Sequence, residues 1–365
     1  MRLLAKLKEL KEELRISTDR DTIGAAITNS QNMSGLLYAY ATWLCCAAAT
    51  TGQIRRKLLI PQWSAQYSLM RVAFTSDLHI DITAHNRELL PYLVEEIERL
   101  SPDALVLAGD IANTLSGWDV ALEAFRRLGI MKFVVPGNHD IWIESKRALK
   151  RAQDSTWKYD VALPASAGRQ GFHYLPQHPV LVGDVWFVGS LGWYDYSFRD
   201  ERLEGVVSTR EYKQGAFGSD IWNDSRYAAW LREPNSSNWR MRKLRLSDLQ
   251  ICSLMIASLQ RDLEQIPSEI TKVAVALHTS PFLSCIDRKQ VPDFFDAYEG
   301  CTRLGEILGR CATQRAVTVI SGHRHKRLDV TESGVRIVRS PVGYLNDFRG
   351  DYRAKAAEVI GLVEL

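Results

Sequence analysis

Six short apolar runs, each ending in polar residues at a turn, constrain the fold of this chain more than any other feature of its sequence. The runs are rich in β-branched residues and apolar on both faces, which is typical of strands buried inside a layered α/β structure. They occupy residues 71–75, 104–108, 132–135, 185–188, 273–277 and 317–320.

Helical patterns lie between several of these runs. Apolar residues at helical spacing predict helices over residues 86–100, 119–128 and 302–311, and Pro91 predicts that the first of them begins near Leu90. Ser247 and Gln250 form a capping box, which predicts the start of a long helix. Because strands and helices alternate, we expect a layered α/β architecture with a largely parallel sheet.

Polar side chains follow the predicted strands. Five of the eight histidines lie at such positions, and so do two aspartates and one asparagine. Any one of them could be an ordinary turn or capping residue, and Gly109, Gly137 and Gly322 could be turn glycines. Ligands of parallel sheets bind beyond the carboxyl ends of the strands, so the joint pattern predicts a metal or catalytic site. The residues are His79, His139, His278, His323, His325, Asp77, Asp110 and Asn138.

The side-chain types of this group narrow the choice of metal. Imidazole with carboxylate and amide oxygen, and without thiolate, favours Mn, Fe or Zn over calcium or a structural zinc site. The potential ligands are too many for one ion and sufficient for two, which would clamp the entering and leaving oxygens of an in-line displacement. A carboxylate shared by the two ions is expected from the middle of the set, where Asp110 lies.

In this order, the motifs resemble those of the calcineurin-like metallophosphoesterase family. They are Asp77-Leu-His79, Gly109-Asp110, Gly137-Asn-His-Asp140, His278 and Gly322-His-Arg-His325. The resemblance spans residue 70 to about the end of the chain and implies a four-layer αββα sandwich. It also implies that a dinuclear metal centre supplies a bridging hydroxide, which attacks the phosphorus of a phosphoester.

The same resemblance implies a role for each matching residue. Asp77, His79 and His325 would hold one divalent metal ion (Mn, Fe or Zn). Asn138, His278 and His323 would hold the other, with Asp110 bridging the two. His139 would act as the general acid that protonates the leaving group.

One motif separates the chain from the protein Ser/Thr phosphatase branch of that family. That branch has Gly-Asp-x-x-Asp-Arg-Gly at its second block, whereas this chain has Gly109-Asp-Ile-Ala-Asn113-Thr-Leu and lacks the phosphate-gripping Arg. The chain is more similar to the phosphodiesterase-type branch. Asn113 occupies the place of a carboxylate that orients the catalytic His in many members, and we also count it as a candidate substrate-binding residue.

An aromatic-rich stretch at about residues 194–246 predicts a cap-like insertion. Its aromatic residues could line the pocket and stack on an organic leaving group, or they could pack only with one another. Trp193 and Tyr194 lie nearest a strand end, so we take them as candidate substrate-binding residues. The basic run at residues 240–245 is interpreted as a solvated surface.

Residues 1–69 differ in composition and apolar patterning from the catalytic domain predicted over residues 70–365. Residues 2–16 are expected to form an amphipathic helix, and residues 35–51 are apolar but shorter than the roughly 20 residues of a membrane span. The alternatives are a marginal membrane anchor, a flexible appendage, or a reading frame that truly starts at Met70. Membrane attachment is the least favoured of them.

Composition limits the remaining function classes. A formal net charge of +3 does not indicate nucleic-acid binding, and six cysteines without paired two-residue spacing indicate reduced thiols in a cytoplasmic enzyme. The sequence therefore predicts a hydrolase for a small phosphodiester or phosphomonoester. The alternatives are a non-catalytic interaction module on the same fold and a nuclease, which would need a basic groove.

Overall fold

The computed structural model describes residues 69–232 and 243–365. Each of the six predicted strands is present. The strands are β1 (Arg71–Thr75), β2 (Ala104–Ala108), β3 (Met131–Val135), β4 (His173–Tyr174), β5 (Val180–Val182), β6 (Val185–Ser190), β7 (Ala216–Phe217), β8 (Asp220–Ile221), β9 (Leu231–Arg232), β10 (Leu244–Arg245), β11 (Lys272–Leu277), β12 (Ala316–Ser321), β13 (Leu328–Glu332), β14 (Val335–Arg339) and β15 (Gly361–Glu364).

Helices connect and cover these strands. They are α1 (Ala84–Leu100), α2 (Leu115–Ala124), α3 (Lys146–Lys150), α4 (Ser155–Trp157), α5 (Leu163–Arg169), α6 (Thr209–Gln214), α7 (Asp224–Tyr227), α8 (Asp248–Glu264), α9 (Thr302–Ala312) and α10 (Tyr352–Val359). A π-helical turn at Lys158–Ala162 joins α4 to α5, and 3-10 turns lie at Glu201–Leu203, Leu283–Cys285 and Phe294–Tyr298.

The long strands are divided between two sheets. The first has the order β15-β1-β2-β3-β4 and the second has the order β13-β14-β12-β11-β6-β5. Neighbouring strands in the middle of each sheet are parallel, whereas β15, β13 and β5 pair antiparallel with their neighbours. The largely parallel pairing expected from the apolar runs is confirmed, but patterning shows only that a strand is buried and not which strands it pairs with.

The two sheets pack face to face. Alternate side chains of β1, β2, β3, β6, β11 and β12 form one buried apolar cluster between them. At its centre the rings of Phe133 and Phe187, one from each sheet, stack with centroids 4.3 Å apart. Burial of both faces explains why these strands read as continuous apolar runs in the sequence.

Helices cover the outer face of each sheet. On the first sheet α5 packs against β4, and α1 contacts α2 and α10. On the second sheet α8 packs against β6, and α9 packs against β12 and β14. The architecture is therefore the four-layer αββα sandwich that the motifs implied.

Helix α1 begins earlier than Pro91 suggested. Thr83 caps the helix by accepting a hydrogen bond from the backbone N–H of Asn86, and Pro91 lies inside the helix. The side-chain amide of Asn86 donates to the carbonyl oxygens of Leu78 and Gly343, which holds the first turn in the core. These tertiary contacts outweigh the single backbone hydrogen bond that a proline removes. The second predicted helix is also displaced and runs over α2, capped by Thr114.

The segment between β6 and α8 corresponds to the aromatic-rich insertion. It carries α6, α7 and two short ribbons, β7/β8 and β9/β10. Helix α8 begins with the predicted capping box of Ser247 and Gln250. Within residues 69–232 and 243–365, no helix combines the length and apolar character that a bilayer crossing requires. Residues 1–68 of the N-terminal extension, with its candidate anchor, lie outside the described residues, as do residues 240–242 of the basic run.

Candidate metal centre

Side chains from five strand ends meet at one edge of the two packed sheets. Asp77 and His79 follow β1, Asp110 follows β2, and Asn138 and His139 follow β3. Two further turns come from the second sheet, where His278 follows β11 and both His323 and His325 follow β12. The parallel order of these strands places their carboxyl ends together, so His79 and His325, 246 positions apart in sequence, become neighbours.

The first of two donor groups contains Asp77, His79 and His325. Nε2 of His79 lies 3.1 Å from Nε2 of His325, which lies 3.5 Å from Oδ1 of Asp77. One ligand atom from each of the three can be chosen so that all lie within 4.8 Å of one another. The group could hold a metal ion.

The second donor group contains Asn138, His278 and His323. Oδ1 of Asn138 lies 3.1 Å from both Nε2 of His278 and Nδ1 of His323. The two imidazole nitrogens are 3.2 Å apart. Three side chains from three different strands thus aim their donor atoms at one point.

Asp110 lies between the two groups and is buried. Its Oδ1 is 3.3 Å from Nε2 of His278, and its Oδ2 is 3.6 Å from Nε2 of His79. One carboxylate oxygen therefore faces each group. This is the arrangement required of a carboxylate that bridges two ions.

Several of these residues have a left-handed backbone conformation. Asp77, His79, Asp110 and His323 have φ values of 55°, 45°, 53° and 72°. Such values are uncommon for residues other than glycine and concentrate at functional sites, where the surrounding structure imposes them. The turns therefore keep an unfavourable backbone conformation that places these side chains at the site.

Glycines allow the donor groups to approach the backbone. A Cβ on Gly137 would lie 2.1 Å from Oδ1 of Asp110, and Gly109 combines a φ of +87° with a Cβ position 2.5 Å from Nδ1 of His278. Neither site admits a side chain. These two glycines are therefore required by close packing around the site, beyond any role in a turn.

His139 lies beside the donor groups with a different set of contacts. Its Nε2 is 3.9 Å from Oδ2 of Asp110, and its Nδ1 is 2.7 Å from Oδ1 of Asn113. Its ring stacks on Trp142 with centroids 3.7 Å apart. Burial lowers the pKa of His139, although the charge of Asp110 opposes this effect.

Burial and mutual charge shift the pKa values of the clustered groups in opposite directions. Burial works to raise the pKa of Asp77, but the hydrogen bond and charge of His325 bring it down to about 2. Burial lowers the pKa of His79 to about 3 and, with the charge of His278, that of His323 to about 3 as well. The charge of Asp110 overcomes burial at His278 and raises its pKa to about 9.

The hydrogen bonds of His278 show that the donor set suits a cation. Its Nδ1 is 2.9 Å from the carbonyl oxygen of Ala108, which can only accept, so Nδ1 carries a proton. In the neutral ring Nε2 then has a lone pair, which faces the oxygens of Asn138 and Asp110. That contact needs either an added proton or a metal ion, and imidazole with oxygen ligands fits Mn, Fe or Zn.

The structure brings together most of the residues predicted for the site. The seven proposed metal ligands, His139 and Asn113 lie within this one cluster. Trp193 is buried and donates to Asp248, away from the pocket that contains the histidines. Tyr194 is buried as well and contacts that region through Asp224. Their role as substrate contacts stays a prediction.

Two buried carboxylates at the site were not among the predicted site residues. The carboxylate of Asp140 accepts backbone N–H bonds from Ile111, Ala112 and Gly137, and so holds the turns around Asp110. Asp224 comes from the insertion and contacts Asn138. The sequence did carry a signal for Asp140, which lies inside the motif of Asn138 and His139, whereas Asp224 lies in a region without a motif.

A pocket of about 310 Å³ opens above the cluster. Among its lining residues are aromatic side chains from both the sandwich and the insertion. They are Trp142, Trp222, Phe295 and Tyr344. One part of the insertion therefore lines the pocket, while the rings of Tyr196 and Tyr212 stack on each other inside the insertion.

Comparisons with known proteins agree with this geometry. The family model described as calcineurin-like phosphoesterase matches residues 70–245. The acyl-carrier-protein phosphodiesterase PptH of Mycobacterium tuberculosis is 26% identical over 287 residues, which cover 75% of this chain and 78% of that protein.

A solved structure adds the fold. The crystal structure of the phosphopantetheinyl hydrolase PptH from Mycobacterium tuberculosis is similar with a TM-score of 0.58 and 22% identity, over 81% of this chain and 96% of that one. The family match includes the motifs that follow β1, β2 and β3. The chain is thus similar to the calcineurin-like phosphoesterase family, both in its motifs and in its fold.

Proposed function

We propose that this phosphoester hydrolase binds two divalent transition-metal ions and hydrolyses a phosphodiester. The proposal rests on one observation, which is that the two carboxylate oxygens of Asp110 face different donor groups. Asp77, His79 and His325 would hold one ion, and Asn138, His278 and His323 the other. Manganese, iron and zinc all suit these ligands.

Metal ions bound there would supply an activated water nucleophile and neutralise charge on the phosphate. The residues of the chain provide the rest of the chemistry. His139 borders the pocket and would donate a proton to the leaving oxygen through Nε2, because Nδ1 is engaged with Asn113. Trp142 supports the ring from below.

The pocket lining favours a diester over a monoester. No Lys or Arg is found among the described residues that line it, while Asp224 and Glu299 are. A phosphomonoester carries a charge of about −1.5 to −2 at neutral pH, which usually calls for Arg or Lys partners. A diester has a single negative charge and two organic groups, one of which could lie against Trp142, Trp222, Phe295 or Tyr344.

The relative suggests which diester to test first. PptH is named as a phosphodiesterase of acyl carrier protein and as a phosphopantetheinyl hydrolase. We therefore propose the phosphopantetheinyl ester of an acyl carrier protein as a candidate substrate of this chain.

The domain boundary near residue 70 is part of the same proposal. The backbone N–H of Met70 donates to the carbonyl oxygen of Leu365, and the N–H of Leu365 donates to the carbonyl oxygen of Met70, so the pairing of β1 with β15 in the first sheet already extends to residue 70.

The cysteines bear on the location of the protein. Four described cysteines are free thiols, including Cys252 and Cys301, whose sulfurs lie 3.4 Å apart. We propose a cytoplasmic location on that ground.

A substrate panel tests the proposal. The full chain is supplied with Mn²⁺ or Zn²⁺ and compared on bis(p-nitrophenyl) phosphate, on p-nitrophenyl phosphate, and on acyl carrier protein carrying its prosthetic group, with release followed by intact mass. We expect metal-dependent hydrolysis with higher kcat/KM for the diester than for the monoester. Preference for the monoester would contradict the diester assignment, and absence of metal-dependent hydrolysis would contradict the proposed centre.

A further inference from the structure

A buried carboxylate of the insertion contacts the second donor group. Asp224 is the first residue of α7 and is 2% exposed. It accepts four hydrogen bonds from side chains of the site and the insertion. The donors are Nδ2 of Asn138 (2.9 Å), Nε1 of Trp142 (2.6 Å), the hydroxyl of Tyr194 (3.2 Å) and Nε1 of Trp222 (3.0 Å).

The contact with Asn138 determines which end of that amide faces the histidines. A side-chain amide has one accepting oxygen and one donating nitrogen, and the two ends have nearly the same shape. An ionised carboxylate can only accept, so Nδ2 of Asn138 turns toward Asp224. Oδ1 is then left to face Nε2 of His278 and Nδ1 of His323, each at 3.1 Å. The reverse orientation would set oxygen against oxygen at Asp224 and an NH₂ group against the proposed ion.

The same carboxylate oxygen also reaches the support of His139. Oδ1 of Asp224 accepts from both Asn138 and Trp142, and the ring of Trp142 stacks on His139. The backbone N–H of Ile143 donates to the carbonyl oxygen of Tyr227, so α7 is fixed to the loop that follows β3 at a second point. Asp224 is thus joined to a proposed metal ligand and, through one aromatic ring, to the proposed general acid.

We propose that Asp224 is a positioning residue, which orients the Asn138 amide for the second metal ion and holds Trp142 beneath His139. This inference rests on the proposed function, since it concerns the same dinuclear centre. It assigns to the variable insertion a task within the reaction centre, in addition to lining the pocket.

Metal binding without substrate tests the first half of the inference. Chelator-treated protein is titrated with Mn²⁺ by calorimetry, and electron paramagnetic resonance distinguishes a coupled pair of ions from a single ion. In Asp224→Ala we expect the second ion to bind about 10- to 100-fold more weakly, as when other groups that orient a ligand are removed. The first ion, held by Asp77, His79 and His325, should bind as before, and Asp224→Asn, which keeps one accepting oxygen, should recover part of the loss.

Asp248→Ala is the matched control. Asp248 belongs to the same part of the chain and also accepts from aromatic residues, namely Nε1 of Trp193 and the hydroxyl of Tyr196. It is not among the residues lining the metal-site pocket. A general loss of packing in the insertion would weaken metal binding in both variants, whereas the proposed role predicts a loss in Asp224→Ala alone.

Trp142→Phe tests the second half. The variant keeps an aromatic ring under His139 but loses the N–H that binds Asp224. We expect both ions to remain bound while kcat falls more than KM changes.

The outcomes separate this inference from the proposed function. If the unaltered chain fails to bind a second Mn²⁺, the dinuclear proposal fails and this inference with it. If the unaltered chain binds two ions and Asp224→Ala binds them with equal affinity, only the positioning role is overturned. If Asp224→Ala loses its cooperative thermal transition, the Mn²⁺ titration is made on Asp224→Asn instead. Unchanged affinity of that variant for the second ion overturns the positioning role, and reduced affinity supports it.

Discussion

Asn113 and His139 are joined by a hydrogen bond of 2.7 Å between Oδ1 of the amide and Nδ1 of the imidazole. An amide oxygen only accepts, so Nδ1 carries the proton and Nε2 is the atom available at the pocket. A carboxylate in the place of Asn113 would favour the charged imidazolium. The imidazole is thus held in one tautomer by a neutral partner, which leaves its protonated form less stabilised.

Asn113→Asp should move the alkaline limb of the pH–rate profile to higher pH. A carboxylate at 2.7 Å would favour the imidazolium and raise the pKa of His139, which burial lowers in the unaltered protein. A general acid stops working above its pKa, so the fall in kcat/KM should shift upward by about one pH unit. Asn223→Asp adds the same charge to the wall of the same pocket and serves as the control. An equal shift in both variants would mean that the charge, and not the contact, is responsible.

His139→Ala should reduce turnover without removing metal. General acid catalysis typically contributes about 10²- to 10⁴-fold, and His139 is not counted among the proposed ligands. Turnover is measured under saturating Mn²⁺, and metal content by elemental analysis. The exposed His178 provides a control, since His178→Ala should behave like the unaltered chain. Unchanged turnover in His139→Ala would remove this residue from the mechanism.

Purified protein should contain close to two transition-metal ions per chain, and their removal should lower its stability. The ions would bind the folded chain and relieve contacts such as the 3.1 Å approach of two imidazole nitrogens at His79 and His325. At a metal concentration 100 times the Kd, the folded state gains about 2.7 kcal/mol for each independent site. The measurement is thermal unfolding before and after chelation and after metal is added back. A protein that melts at the same temperature in all three states would contradict the dinuclear proposal.

Metal affinity should rise with pH between about 6 and 9, with release of protons. Imidazole ligands must be neutral to bind metal. In the metal-free protein the charge of Asp110 overcomes burial and raises the pKa of His278 to about 9, and Asp77 likewise raises the pKa of His325 despite burial. His278 is therefore charged at pH 7 and must lose a proton to bind metal, and the raised pKa of His325 acts in the same direction, whereas His79 and His323, with pKa values of about 3, are already neutral.

Calorimetric titration of Mn²⁺ in two buffers of different ionisation enthalpy counts the protons released in that equilibrium. Identical heats in the two buffers, together with an affinity independent of pH, would show that these imidazoles are already neutral.

Ser247→Ala should destabilise the chain and leave its metal content unchanged. Ser247 accepts from the backbone N–H of Gln250, whose side chain bonds back to the N–H of Ser247, at the start of α8. Loss of such a cap typically costs about 1 kcal/mol of unfolding free energy, which urea denaturation measures. Ser268→Ala, at an exposed position outside any helix or strand, should have a smaller effect. Equal effects would indicate that the cap contributes nothing specific.

The sequence by itself determined the strands, the turns that end them and the identity of the clustered side chains. Short continuous apolar runs such as 104–108 are typical of strands buried on both faces, and β2 is buried along its whole length. The carboxyl ends of parallel strands lie at one edge of a sheet, so the sequence predicts that His278 and His323 lie beside Asp110. These features depend on local sequence patterns and on the order of the motifs, so they can be predicted from the sequence.

Only the tertiary structure decided which strands pair, where α1 begins and how the insertion meets the site. Apolar patterning does not divide the strands between the two sheets, because pairing depends on contacts between distant segments. Pro91 remains inside a helix because the burial of Leu89 and Leu93 outweighs its missing hydrogen bond. Asp224 joins Asn138 from 86 positions away. No motif surrounds this carboxylate, and it joins the site only because the folded chain brings four hydrogen-bond donors to it. Such long-range contacts are not encoded in a local sequence pattern.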